Sequence, residues 1–298
     1  MTPRKWDKVA TVVLYMISIF IIFVLAFLLL YILISGLPNV SWHFITSKSS
    51  SFRAGGGIGV QLFNSVYLLV LAMIISVPLS LGAGIWLSEY APKNWVTSLI
   101  RNAIEILSSL PSVVVGLFGF LVFSINMKFG FSILSGALAL TVFNLPLLTR
   151  KVEDSLQAIH YTQREAGYAL GLSRWETVIH VVVPAALPGI ITGMILGMGR
   201  IFGEAAALIY TAGQSSPPLD FSNWNPLYIA SPLNPMRSAE TLAVHIWKIN
   251  SEGIIPDATQ VSAASSAVLV LFVLLLNFLA RYVGNRLYAR LTGVKERN

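Results

Sequence analysis

The segment "LGMGRIFGEAAAL", residues 196–208, sets Arg200 and Glu204 four residues apart in a run that is otherwise small or apolar. A guanidinium presents a planar fork of N–H donors that matches carboxylate and oxyanion geometry. A carboxylate at i+4 on the same helix lies within its reach. In hydrocarbon an arginine costs about 2.5–3.5 kcal/mol on insertion scales, so it must face protein or water. Two readings follow. In the first, Arg200 donates to an anion and Glu204 holds it between anions; in the second, the two form an ion pair that only fixes helix packing. A buried pair recovers in attraction roughly what it loses in desolvation, which makes stability a weak reason for it, and the anion-contact reading is preferred.

Weaker candidates lie around two prolines. Ser109 and Ser112 flank Pro111, and Asn144 precedes Pro146, in runs where proline breaks or kinks a helix. Hydroxyl and amide side chains in such runs usually bond neighbouring helices, so packing is the favoured reading for Ser109, Pro111, Ser112 and Asn144. The four histidines, His43, His160, His180 and His245, lack metal-ligand spacing and are assigned to loops or surface. No metal site is expected. The absence of cysteine excludes thiolate ligands and disulfides, and no acid and base pair suited to an intramembrane enzyme stands out.

The elements that must carry these residues are membrane helices. Of 298 residues 55% are hydrophobic and 11% charged, against about a quarter charged in soluble domains. Six apolar windows, near 9–34, 62–87, 104–125, 131–148, 185–212 and 261–282, are long enough to cross a core of about 30 Å. The first is too long for a signal-peptide h-region and is expected to remain as a membrane helix. On a wheel of about 100° per residue, Arg200 and Glu204 share one face of the fifth window with Gly189, Gly193 and Gly197, while the bulky residues occupy the opposite arc. Small-residue ladders permit close helix approach.

Six crossings place 14 of the 20 Lys and Arg residues on one side and five on the other, with Arg200 inside. By the positive-inside tendency, both termini are cytoplasmic. Topology accounts for the formal charge of +7 better than nucleic-acid binding does. The expected organisation is an N-terminal transmembrane helix (1–36), an extracytoplasmic loop (37–60), a helical membrane core (61–284) and a cytoplasmic tail (285–298). Ser and Gly clusters mark 37–60 as loop. A second exposed loop follows the fifth window; in it "AETLAVHIWKI" is expected as a short helix at the membrane interface, with Trp224 and Trp247 as interfacial anchors or partner contacts.

The cytoplasmic stretch 153–184 reads as helix, glycine turn, helix. Thr162-x-x-Glu165 and Ser173-x-x-Glu176 are capping-box patterns. Gly171 suits the left-handed position after a helix, and Pro184 is expected to close the second helix. A helical hairpin with two starts is more than a tie between spans and points to docking of a cytosolic partner.

This hairpin resembles that of type-1 ABC importer permeases, the MetI-like family: Glu165-Ala166-Gly167, then Gly171, then Val181-Val182-Val183-Pro184 fall at the spacing of the family's E-A-A motif. Gly replaces the second Ala, and Val replaces Ile and Leu. Within that family, "GGGIGVQLFNSVYLL", "ILSSLPSVVVGLFGF", "NLPLLTR" and "GRIFGEAAAL" are similar to the PstA branch, permeases of phosphate importers. The resemblance implies an all-α fold of six transmembrane helices, with Glu165, Ala166, Gly167 and Gly171 coupling to an ATPase. It implies a second PstC-like permease, two PstB-like ATPase subunits that carry ATP and Mg, and a PstS-like extracytoplasmic phosphate-binding protein. It also implies import of phosphate by alternating access, the alternative being another oxyanion such as molybdate, sulfate or phosphonate. No lysine lies in a phosphate-binding G-x-x-x-x-G-K-[ST] loop, so no cofactor is expected on this chain itself.

Overall fold

A computed structural model describes residues 3–50, 54–253 and 255–292. Backbone polar groups in hydrocarbon must be satisfied within the protein, and among the described residues the chain is helical with no strand. In order, α1 spans Pro3–Gly36 and α2 Trp42–Thr46, started by the Ser41 side chain. Next, α3 (Gly59–Ile85) ends in a wide π-helical turn, Trp86–Tyr90. Asn94 caps α4 (Trp95–Ser108), and α5 (Ser112–Gly119) continues as a π-helical stretch, Phe120–Asn126. Ser132 caps α6 (Ile133–Gln157). The hairpin is α7 (Tyr161–Ala169) and α8 (Arg174–Thr177). A π-helical turn, Val178–Val182, leads into α9 (Val183–Phe202). Finally come α10 (Ala206–Thr211), α11 (Leu242–Glu252) and α12 (Ala258–Thr292).

Five helices are long and apolar enough to cross a membrane, and a sixth crossing is reached by counting α4 with α5. That third window is not one kinked helix. Its halves meet at 101°, and Ser112 to Asn126 rises only about 22 Å at 1.5 Å per residue. The hydroxyls of Ser108 and Ser109 bond the carbonyls of Glu105 and Ile106 at 2.8 and 2.7 Å. Pro111 then takes extended backbone, φ −59° and ψ 137°, which ends the helix before it. The fifth window also breaks: α9 stops at Phe202, and Gly203 to Ala205 separate it from α10.

Other expectations shift as well. Pro184 does not close a helix but sits in the first turn of α9, where a proline's missing N–H is tolerated. The wide turn before it is closed by Val183 N–H on the Val178 carbonyl, and α8 runs on into α9. The loop 37–60 contains α2, while its residues 51–53 lie outside the described ones. Within the expected tail, α12 continues to Thr292 and the remainder lies outside the described residues. The segment 242–252 is helical as expected, yet it is packed inside the protein, with Leu242, Ala243, Val244, His245 and Ile249 buried. Trp224 and Trp247 are half exposed, and Trp224 meets Phe63 and Phe221 edge-on.

The centre of the bundle is α6, which contacts α3, α4, α5, α9 and α10. Its neighbours bury 67% of its most apolar stretch, against 0% for α1, which packs on α12 near Gly36. The glycine ladder lies against α6 as its shared face requires. A Cβ on Gly189, Gly193 or Gly197 would fall 2.5, 2.8 or 2.7 Å from Ser155, Lys151 or Asn144. Overpacking of a core costs about 1–3 kcal/mol. Gly197→Val should therefore lower the thermal midpoint of the detergent-solubilised protein, whereas Gly82→Ala, with open space around it, should leave it unchanged.

Candidate functional site

Three clusters concern function. The first is the end of α9. Arg200 lies on the ladder face as expected, with its guanidinium carbon 3.5 Å from the centre of the Phe143 ring on α6, a cation–π contact of about 0.5–2 kcal/mol. Glu204 does not pair with it. Among the described residues Arg200 forms no ion pair. Glu204 falls in the break between helices, and its Oε1 accepts from the Ala207 N–H at 3.2 Å, capping the start of α10. The i+4 geometry presumes a continuous helix, and the break at Gly203 removes it.

Next to Phe143, Asn144 is fully buried, and both polar atoms of its amide lack a hydrogen-bond partner. It faces Gly197. Ser109 is spent on the Ile106 carbonyl, Pro111 precedes the first turn of α5, and Ser112 begins it. The half-helices α5 and α10 pack on each other so closely that a Cβ on Gly116 would sit 2.7 Å from the Ala207 Cα. Both breaks therefore belong to one packed unit.

The second cluster is the hairpin. The Thr162 capping box is absent: α7 begins two residues earlier than that cap requires, His160 occupies the cap position without a side-chain cap, and the Thr162 hydroxyl meets His160 Nδ1 at 3.3 Å. The Ser173 box is present, with Glu176 N–H donating to Ser173 Oγ at 3.3 Å and Ser173 N–H to Glu176 Oε2 at 2.8 Å. Between them Gly171 takes φ +83°. Leu172 N–H reaches the Gly167 carbonyl and Gly171 N–H the Tyr168 carbonyl at 3.2 and 2.9 Å, the two bonds of a Schellman end. Gly167 is buried, and a Cβ there would meet Thr177 Cγ2 at 2.7 Å, which accounts for glycine where the motif has alanine. Glu165 and Ala166 face outward. So do Tyr161, Tyr168, Trp175 and Leu170, the last 81% exposed.

The third cluster, at the opposite end, had no sequence signal beyond isolated polar residues. Arg237 is buried and donates to Asn64 Oδ1 at 2.7 Å and to the Pro232 carbonyl at 2.8 Å. Burial pulls its pKa down to about 10. Glu240 accepts from Gln61 Nε2 at 2.9 Å, and its other oxygen lies 3.0 Å from His245 Nδ1 and 3.9 Å from Lys248. His245 is therefore a buried network residue, not a surface one. These groups fix the loop before α11 to the start of α3; Tyr67 adds a bond to the Leu233 carbonyl at 2.7 Å. Asx turns at Asp220, Asn223, Asn225 and Asn234 fold the loop itself. Among the described residues no group of His, Asp or Glu is arranged for a metal ion.

A helical bundle with interrupted spans, a central glycine-lined contact and a projecting hairpin is the architecture of a membrane permease. The chain matches the family model of the binding-protein-dependent transport system inner membrane component over residues 76–293, and it belongs to that family. It is 51% identical over 292 residues to "Probable ABC transporter permease protein YqgI" of Bacillus subtilis (strain 168), covering 98% of this chain and 99% of the relative. It is 32% identical over 283 residues to "Phosphate transport system permease protein PstA" of Yersinia pestis, covering 94% and 90%. The fold is similar to that of a bacterial alginate ABC transporter solved with its pentasaccharide-bound periplasmic protein, at TM-score 0.62 and 13% identity over 95% of this chain and 96% of that one. The chain is thus a type-1 ABC permease, a multi-pass transport subunit of the cell membrane.

Burial acts to raise the pKa of the Glu240 carboxyl, but the hydrogen bond and charge of His245, with Gln61 and Lys248, hold it below the usual range. A folded value below the unfolded one, about 4.3, gives stabilisation that is complete above that pH and lost as pH falls through the folded value. Glu240→Ala should destabilise the protein by about 3–5 kcal/mol, the effect of breaking a buried pair. Thermal melts across pH should show that difference shrinking below about pH 4.

Proposed function

We propose that the chain is the PstA-type permease subunit of an ATP-driven phosphate importer, with Arg200 as an anion contact on the pathway. The observation that carries the reading is the Arg200 guanidinium: it rests on an aromatic face without an ion pair, so its donors are not committed to a carboxylate. Similarity to the Yersinia pestis phosphate permease along nearly the whole chain supports phosphate as the anion. Glu204, which caps α10, shapes the break beside Arg200 instead of holding its charge. Asn144, fully buried beside the same aromatic ring, packs against Gly197 and supports the contact from behind.

The hairpin end is cytoplasmic, by the distribution of Lys and Arg, and both termini lie on that side. Outward-facing Glu165, Ala166, Leu170 and Trp175 form the seat of a separate ATPase subunit, which carries ATP and Mg. The opposite end receives the anion from an extracytoplasmic binding protein, and a second homologous permease completes the pathway. ATP-driven closure of the ATPases moves the hairpin and switches the access of the pathway.

A charged hydrogen bond is worth about 1.5–3 kcal/mol, so Arg200→Gln should reduce phosphate uptake by the reconstituted complex about 10- to 100-fold with assembly intact. Unchanged uptake would remove Arg200 from the pathway. Sulfate or molybdate uptake in place of phosphate would reassign the substrate. Glu165→Lys and Gly171→Val should leave the chain in the membrane while uncoupling ATP hydrolysis from uptake; measured coupling equal to wild type would count against the docking role.

A further inference from the structure

The back of the hairpin is tied to the end of α3 by contacts that none of the motifs above requires. The π-helical turn Trp86–Tyr90 carries Glu89, which is 8% exposed. Arg164 on α7 meets its carboxylate with two nitrogens, Nη2 at 2.6 Å from Oε1 and Nε at 3.2 Å from Oε2. This two-point fork fixes direction as well as distance. The same guanidinium donates to the carbonyls of Leu156 and Ile159, at 2.9 and 2.8 Å, as the chain leaves α6. Arg174 on α8 donates to the Glu89 carbonyl and lies over the Tyr90 ring, 4.7 Å from its centre.

The turn itself explains why arginines gather there. Ala91 N–H bonds the Trp86 carbonyl at 2.8 Å, and the residue that would serve Leu87 by the same i+5 spacing is Pro92, which has no N–H. The Leu87 carbonyl is taken by Arg101 Nη2 at 3.0 Å, while Arg101 Nε pairs with Glu153 on α6 at 2.7 Å. Helix C-termini carry partial negative charge and favour such cations. As a result α3, α4, α6, α7 and α8 meet at one knot. Leu170 and Trp175 on the hairpin stay exposed.

We infer that Glu89 is a positioning residue for transport: its carboxylate clamps α7 to α3 through Arg164, beside the bond from Arg174 on α8 to its backbone carbonyl, so that displacement of the hairpin moves α3 instead of being absorbed at the turns around residues 158–160 and 171–173. Far along the same helix, Gln61 and Asn64 hold the opposite loop through Glu240 and Arg237. One rod therefore joins the ATPase seat to the other mouth. This rests on the reading that the hairpin docks an ATPase, and wild-type complex serves as the control for it.

The test uses complex purified with its ATPase, reconstituted in liposomes and given inorganic phosphate. Wild type, Glu89→Gln, Arg164→Lys and the double variant are compared for retained ATPase subunit, ATP turnover and phosphate taken up per ATP. Each variant should keep the ATPase and turn over ATP within about twofold of wild type, while uptake per ATP falls at least about fivefold. The double variant should be no worse than the more severe single one, since both remove one link. Unchanged uptake per ATP, multiplying losses in the double variant, or release of the ATPase would each overturn the inference. Should Glu89→Gln fail to accumulate, Arg164→Lys carries the test, because it keeps the positive charge while removing the fork and the guanidinium bonds to the Leu156 and Ile159 carbonyls. A wild-type complex lacking any ATPase would instead retract the coupling reading.

Discussion

A helix interrupted inside an apolar segment leaves backbone donors and acceptors that hydrocarbon cannot satisfy, so each break must be enclosed by protein. Among the described residues two such breaks occur, at 109–111 and 203–205, and the packing follows from enclosing them. The half-helices after them, α5 and α10, meet at Gly116 and Ala207, and α6 packs against both. Side chains supply what the helices cannot: Ser109 takes the Ile106 carbonyl, and Glu204 takes the Ala207 N–H. The most buried spanning helix stands beside the interrupted ones, and Arg200 and Asn144 lie where these helices meet.

Much of this was legible in the residues. Hydropathy placed the spans, since twenty apolar residues have few soluble alternatives. The Gly189, Gly193 and Gly197 ladder announced a close helix contact, and α6 provides it. Gly171 and the Ser173 box are local signals whose bonds close within a few residues, and both appear as read. What escaped has a common physical cause. A hydropathy window averages across a break, so only Pro111 marked the first interruption and nothing marked the second, and a helical wheel carried Glu204 past the point where the helix had ended. Thr162 and Glu165 matched a pattern, but the backbone began its helix at Tyr161, and a pattern of side chains does not choose its own starting residue.

Long-range electrostatics were the least legible. Glu89 and Arg164 are 75 positions apart, and Gln61 and Glu240 are separated by 179; nothing in either neighbourhood names the other. A weak trace existed in the sequence: "SEYAP" ends a long apolar run with an acid and a proline, an arrangement that leaves helix carbonyls in need of donors. His245 was similarly misjudged because a lone histidine on a short helix expected at the interface gives no hint of a carboxylate folded over it.

The loop before α11 has a consequence for association rates. Its Asx turns and the buried Arg237 anchor fix a 30-residue-scale connection that would otherwise be flexible, yet Leu227 and Ile229 at its tip stay 89% and 84% exposed. Conformational entropy has therefore been spent during folding and not reserved for an encounter. A protein arriving at that face meets a finished relief, and capture there is governed by orientation and collision, with no loop to be ordered on contact.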